Sequence, residues 1–456
     1  MLFHRDVSPQ LTVLLTNVWL EGAGGTECVV RDIARGMQAR GHRPIVYSPC
    51  LGGFAHSIRE SGIAVVDDLD AVTERPDIIH GHHFIPTAEA IIRFPDAAAL
   101  YVCHSWRFWV EQPPSFPQIR LHAGVNKTIV NNLTVQNGIP AEQVVFLPNA
   151  VDLQRFAPRQ RPWPSASPRL LVFHGGGIHH RFIREAAAQL RLPLTSIGRG
   201  GDRMTDTPED VLLDHDIVFA TGRAALEAMA CGCAVIVCGE AGMASLVTPE
   251  NFEWYRNCNF AVGAFTRPIS TEALIAEVQA CDPVEVAKVS ALVREVAPLD
   301  RQLDLLEGIY RRIREQATAE PVSAAAHQLA LRQFHRAALP RLPHDKRWPW
   351  QEERYWMGGE IEKWKANHAS ASAEHASVSA ALASTSKDFA RTRSEVEQLK
   401  HRLELSLQEH AALSRENAAL SRENAALSSE LARMWNSRSW RLTGPLREAR
   451  RILSLA

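Results

Sequence analysis

The stretch from Phe219 to Gly232, FATGRAALEAMACG, holds residues whose types and spacing suit ligand chemistry. An apolar run, DIVFA, feeds Thr221-Gly222-Arg223. A short alanine-rich segment with one acid, Glu227, follows, stops at Gly232 and leads into a second apolar run, AVIVCG. The pattern is strand, helix, strand. In parallel sheets, ligands sit beyond the carboxyl ends of the strands. Thr221 is placed to cap the helix, and a helix N-terminus offers free N–H groups and a positive dipole end to an anion. Gly222 allows close backbone approach, and Arg223 adds a charge-assisted donor for phosphate. Glu227, a little over one turn further in, does not suit phosphate; its carboxylate suits paired hydroxyls such as those of a ribose. A nucleoside diphosphate meets both demands. The plain alternative is that Arg223 and Glu227, four apart, simply pair along the helix.

The elements that must position these groups alternate along the chain. In residues 1–150, LTVLLTN, RPIVYSP, PDIIHGH and AAALYVCH read as strands, and Thr26 to Arg40 has helical spacing that ends at Gly41. Short apolar runs separated by helices predict parallel strands with crossovers, an α/β doubly wound sheet. The passage LPNAVDLQRFAPRQRPWPSASP is turn-rich and reads as the connection to a second domain. Residues 165–316 repeat the alternation with RLLVFHGG, a helix from about Arg181, LTSIGRGG, HDIVFATG, the Glu227 helix and AVIVCG.

The remainder differs. Residues 317–372 are helix-prone and contain Trp348, Trp350, Trp356 and Trp364. In residues 373–433, LSRENAALSRENAALSSEL repeats every seven positions, with Leu413, Leu420 and Leu427 at one core position and Asn417, Asn424 and Leu431 at the other. Buried asparagines at such positions favour a parallel two-stranded coiled coil, hence a homodimer; one long solvated helix is the alternative. Residues 434–456 form a basic amphipathic tail. Leu446, Ala449, Ile452 and Leu453 share one face, and Arg447, Arg450 and Arg451 lie off it. This suits either an interfacial helix on an anionic membrane or a capping helix packed on the protein.

Bulk properties set limits. The formal net charge is −1, which argues against nucleic acid as a partner. Eight scattered cysteines, several inside apolar runs, read as reduced thiols of a cytoplasmic protein. MLFHRDVSPQ has no apolar core of a secretory signal. No run approaches the roughly 20 apolar residues of a membrane span, so any membrane contact is expected to be peripheral. The cluster HGHH, His80 to His83, together with His104, suggests either a metal site or polar histidines at strand ends lining a cleft. With no carboxylate or cysteine nearby at ligand spacing except Cys103, the second fits better.

GRAALEAMACGCAVIV resembles the nucleotide-binding motif of GT-B glycosyltransferases, in particular the large retaining family 4. GAGGTECVVRDIARGMQARGHRPIVYS resembles that family's opening glycine-rich loop and helix, PDIIHGHH and YVCHSW its later strand ends, and GIPAEQVVFLPNAVDLQRFAP its interdomain segment. The order is right, and the resemblance covers about residues 10–315. SRSWRLTGPLR resembles a tail of bacterial surface-polysaccharide glycosyltransferases. The resemblance implies two Rossmann-like domains facing a cleft, the first holding the acceptor and the second a nucleotide sugar. It implies that Glu227 binds the donor ribose, that Gly24 and Gly25 let their loop approach the diphosphate, and that His104 is the active-site histidine near the donor sugar. It implies no metal and no cofactor beyond the sugar nucleotide; helix ends and basic side chains would stabilise the leaving group. The acceptor would be lipid-linked or a saccharide, and the location the cytoplasmic face of the inner membrane.

Two departures stand out. The family has a second acid eight positions before the first, and here that position is Phe219. The family also places Arg and Lys after the first strand of its second domain; here that loop, HGGGIHHRFIRE, has no lysine. Arg181, Arg199 or Arg223 would have to neutralise the diphosphate, Arg223 first because it lies in the motif. These departures leave room for a catalytically degenerate scaffold working through its coiled coil. An epimerase of the same fold fits less well with the helical tail.

Overall fold

The structure is a computed structural model. It describes residues 10–338, apart from 107, 164–166, 174–176, 178, 199–200 and 203, and a few helical positions between 425 and 433. The chain divides into two compact units, residues 1–341 and 342–456. The tryptophans of the 317–372 region, nearly all of the expected coiled coil, the tail and Arg199 lie outside the described residues.

The first sheet has seven parallel strands: β1 (Thr12–Thr16), β2 (Arg43–Tyr47), β3 (Ala64–Val66), β4 (Ile78–His82), β5 (Ala98–Cys103), β6 (Ile119–Gly124) and β7 (Val144–Phe146). Their spatial order is 3-2-1-4-5-6-7. β4 and β5 are buried along their whole length, as strands covered by helices on both faces must be. The covering helices are α1 (Gly25–Ala39), α2 (Gly53–Arg59), α3 (Phe84–Arg93) and α4 (Lys127–Asn131). Val29, Val30, Ile33, Ala34 and Met37 form the buried stripe of α1. The chain leaves α1 through Gly41 at φ +87°, a left-handed conformation that favours glycine.

The second domain carries α5 (His180–Leu190), α6 (Pro208–Leu213), α7 (Gly222–Ala230), α8 (Pro249–Asn257), α9 (Thr271–Gln279) and α10 (Pro283–Val296) around a smaller sheet. Its strands are β8 (Leu170–Phe173), β9 (Leu194–Ile197), β10 (Ile217–Ala220), β11 (Ala234–Gly239) and β12 (Gly242–Leu246), in the order 12-11-10-8-9. All neighbours are parallel except β12, which returns antiparallel to β11. Both sheets reverse direction next to their first strand, between β1 and β4 and between β8 and β10. Such switch points open the crevices where ligands bind.

Two chain crossings join the domains. Val151, fully buried, accepts from Leu299 N and donates to Ala297 O. After this second crossing, α11 (Leu299–Ala319) and α12 (Ala324–Ala338) return to the first domain. Leu303, Leu306, Ile309, Tyr310 and Ile313 of α11 enter the first core. Gly36 of α1 makes room for this, because a Cβ there would lie 2.4 Å from Leu303 Cδ1. The sequence division that ran the second domain to 316 therefore differs from the packing: α11 follows α10 in the chain but buries its apolar stripe in the other core. Among the described residues, no helix is long and apolar enough to cross a membrane.

Candidate active site

The site lies where the first-sheet edge meets α7. β1 ends at Thr16, and the following loop runs to Gly24, which caps α1 with no side-chain bond. A Cβ on Gly24 would lie 2.3 Å from Glu27 Oε2, so the glycine leaves space for that carboxylate, which folds back over the first turn and accepts from Thr26 Oγ1 at 2.9 Å. Gly25 faces open space.

β4 and β5 deliver the histidines. Alternation along β4 puts His80 and His82 on one side of the strand, and their rings stack at 4.7 Å. His82 Nδ1 lies 2.8 Å from Nε2 of His104, the residue after β5. From the other direction, Tyr310 of α11 brings its hydroxyl to 2.5 Å from His80 Nδ1. His83 sits at φ +66°, a strained conformation for a non-glycine residue at the start of α3. Its Nδ1 accepts from Val18 N, and its Nε2 lies 3.6 Å from Glu111. Glu111 also accepts from His104 N. Burial pushes His80 down to about 3 and His104 to about 4, so both are neutral near pH 7. Burial opposes the charge of Glu111, but the neighbouring His83 and His104 hold its carboxyl below the usual range. Among the described residues, no three His, Cys, Asp or Glu side chains are arranged to hold a metal ion.

The second half of the site is charged. Thr221 occupies the cap position of α7 but makes no side-chain cap bond. Gly222 sits at φ +61° and donates its N–H to Phe260 O. Arg223 then reaches two carboxylates, Glu227 Oε1 at 3.0 Å on its own helix and Asp32 Oδ2 at 2.5 Å on α1. Asp32 is held on its other oxygen by Arg31 Nε and Nη2 at 2.9 and 2.8 Å. These four side chains are only 8–10% exposed. Burial works against the charge of Asp32, yet Arg223 and Arg31 hold it below the usual carboxylate range. For Glu227 burial wins and its pKa rises, with Arg223 opposing. Arg223 remains charged because Asp32 and Glu227 outweigh the cost of burial. Burial also raises the Cys28 thiol to about 11 beside this cluster. Burial is the main cause of the low His104 pKa, and the charge of Arg223 adds to it.

Arg223 and Glu227 thus meet α1, the helix that the Gly24-Gly25 loop opens, while His104 joins the histidine cluster at the ends of β4 and β5. Arg181 does not join them: it is exposed on the first turn of α5, over the Phe182 ring. Phe219 is the third residue of β10 and completely buried in the second-domain core, so its position offers no side chain to the cleft. Sequence reading missed Asp32, Arg31, Glu111 and Tyr310. A signal existed for one of them: Asp32 falls four residues after Cys28 and eight after Gly24, on the glycine-loop face of α1. A groove of about 1000 Å³ lies elsewhere, lined by Phe116, Arg120, His122, Arg312 and Leu329, and includes none of the cleft residues.

Residues 23–155, which carry the glycine loop, Asp32 and the histidines, match the sequence pattern of Glycosyltransferase Family 4. That part of the chain is similar to the Glycosyltransferase Family 4 domain. A glycosyltransferase from Rickettsia africae is similar in structure, at 16% identity and TM-score 0.50, over 67% of this chain and 99% of that one. The fold is GT-B. The HepE protein of Anabaena, solved with UDP, aligns over 66% of this chain and all of its own, at 14% identity and TM-score 0.46. The pneumococcal O-GlcNAc transferase GtfA, solved with UDP and GlcNAc, aligns over 67% and 99%, at 8% identity and TM-score 0.44. No curated protein matches the sequence. The matched residues include Asp32 and the histidines, whereas Arg223 and Glu227 lie on α7 of the second domain.

Proposed function

We propose that the chain is a retaining glycosyltransferase that moves a sugar from a nucleotide-diphosphate donor to a lipid-linked or saccharide acceptor. The observation that supports this best is the meeting of Arg223 and Glu227, at the switch-point edge of the second sheet, with α1 of the first domain. Glu227 accepts from the donor ribose. The diphosphate competes with Asp32 for Arg223 and approaches the backbone at Gly222, Gly24 and Gly25. His104 faces the donor sugar. Helix ends and basic side chains, Arg223 first among them, rather than a metal, stabilise the leaving diphosphate. The tail resemblance supports work in bacterial cell-surface polysaccharide synthesis, with the chain cytoplasmic on the inner-membrane surface and dimerised by a parallel coiled coil.

A second reading is a degenerate GT-B scaffold. Phe219, buried in a core strand, and an Arg223 already held by two carboxylates favour it. Calorimetry with UDP and GDP on the full chain separates the two. The transferase reading expects one nucleotide to bind and Glu227→Ala to weaken it by about 1–3 kcal/mol, the value of a hydrogen bond to a charged group. Glu227→Ala leaves Arg223 paired with Asp32, so its fold should survive. Absence of binding by both nucleotides would favour the scaffold.

A further inference from the structure

We propose that His82 is a positioning residue: its Nδ1–H donates to Nε2 of His104 and fixes His104 as the tautomer with its proton on Nδ1. The inference rests on the reading of His104 as the group beside the donor sugar.

The 2.8 Å contact between His82 Nδ1 and His104 Nε2 allows either ring to donate. The other nitrogen of His82 decides between them. His82 Nε2 is buried with no hydrogen-bond partner, and His82 itself is completely buried. If His104 donated, His82 would carry its proton on Nε2, as an N–H buried without an acceptor. If His82 donates, Nε2 holds only an unused lone pair. Orphaned buried N–H groups are rarer than under-used acceptors, so the second arrangement wins. Both rings are neutral at pH 7, which keeps the hydrogen bond a neutral pair.

The surroundings hold this geometry. The His82 ring lies between those of His80, at 4.7 Å and 27°, and His104, at 4.9 Å and 32°. His80 is tied to Tyr310. His104 is anchored through its backbone N–H to Glu111, which His83 approaches in turn. With Nε2 of His104 committed to His82, Nδ1 is the ring nitrogen left for a ligand, and it carries the proton. His104 then acts as a hydrogen-bond donor to a sugar hydroxyl or an anionic oxygen, and not as a general base. A histidine in the wrong tautomer loses its function even where its position is kept.

The test is long-range ¹H–¹⁵N correlation spectroscopy on the full chain, labelled with ¹⁵N-histidine, at neutral pH. The signals that vanish in His104→Gln belong to His104. The expected pattern is a protonated Nδ1 and a bare Nε2. His82→Asn keeps an N–H near the position of Nδ1 and should preserve the pattern. His82→Leu removes the donor and should cost His104 its bare-Nε2 signal. A protonated Nε2 in the unsubstituted chain overturns the proposal, as does an unchanged His104 tautomer in His82→Leu. Titration of the same His82→Leu protein with UDP and GDP reads Glu227 and Arg223, which His82 does not contact. Failure of nucleotide binding therefore strikes the transferase reading and leaves the tautomer result standing.

Discussion

At the ends of β4 and β5 the first domain gathers His80, His82 and His104 with no net charge, whereas between α1 and α7 four largely buried side chains, Arg31, Asp32, Arg223 and Glu227, carry formal charges. Both clusters are shielded from water, so burial alone does not explain the difference. An imidazole titrates near neutrality, and burial simply leaves it neutral. A guanidinium has no neutral form within reach, so it must be buried together with counter-charges. That is why Arg223 draws one acid from its own helix and a second from the other domain. The first cluster can offer a ligand neutral hydrogen bonds; the second can exchange a carboxylate for an anion.

Breaking the charged half should have the largest effect. Arg223→Met leaves Asp32 with Arg31 alone and removes the ion-pair partner of Glu227. Removing one member of a buried ion cluster costs about 3–5 kcal/mol. Urea unfolding of the full chain measures it, provided the first cooperative transition is analysed. Arg223→Met combined with Glu227→Gln should recover part of the loss, because the stranded charge is gone. A cost under about 1 kcal/mol, the range of exposed pairs, would mean that water reaches the cluster and that the contrast drawn above fails.

Much of this contrast was legible in the sequence, and the rest was hidden for identifiable reasons. The strands LTVLLTN, RPIVYSP, PDIIHGH and AAALYVCH, and a helix expected at Thr26 to Arg40 and found at Gly25–Ala39, follow from period and punctuation. The i,i+4 pairing of Arg223 with Glu227 was visible from spacing alone. Asp32 was not, since its bond to Arg223 spans 191 positions, and His80 to Tyr310 spans 230. Periodicity shows that α11 is amphipathic but not which core receives it. Counting eight residues back from Glu227 reached Phe219 because only Thr221 separates β10 from α7, so the count runs back into a core strand.

The neutral half can be tested with pH. His80, His82 and His104 have folded pKa values below the ordinary 6.5, so the unfolded chain binds protons that the folded chain refuses. Stability is therefore retained above about pH 6.5 and lost as pH falls from there towards 4 and below. Each such histidine contributes a slope of up to about 1.4 kcal/mol per pH unit. The charged half behaves differently in this window. Asp32, with its pKa depressed, gives up its contribution only as pH falls below the ordinary carboxylate range. Glu227, with its pKa raised, relieves a cost as it protonates. Unfolding midpoints at pH 7 and pH 5 should separate for the unsubstituted chain, and the separation should shrink in His82→Asn. Equal separation in the two proteins would mean that His82 becomes protonated without unfolding, and that the histidine cluster is wetter than its burial implies.

The smallest expected effect on stability concerns the loop between the two clusters. Gly25 opens α1, has no positive φ and faces open space, so Gly25→Ala introduces no clash and reduces the freedom of the unfolded chain. Such a change stabilises by about 0.4–1 kcal/mol. Gly24→Ala differs, because its methyl group meets the end of the Glu27 side chain, which must swing away, and alanine is a poor helix cap. If the loop's backbone approaches the diphosphate, Gly25→Ala should weaken nucleotide binding while leaving the unfolding midpoint equal or higher. Those opposite directions distinguish a binding role from a folding one. If Gly25→Ala binds nucleotide as the unsubstituted chain does, the phosphates do not reach this loop, and anion recognition rests on α7 and Arg223.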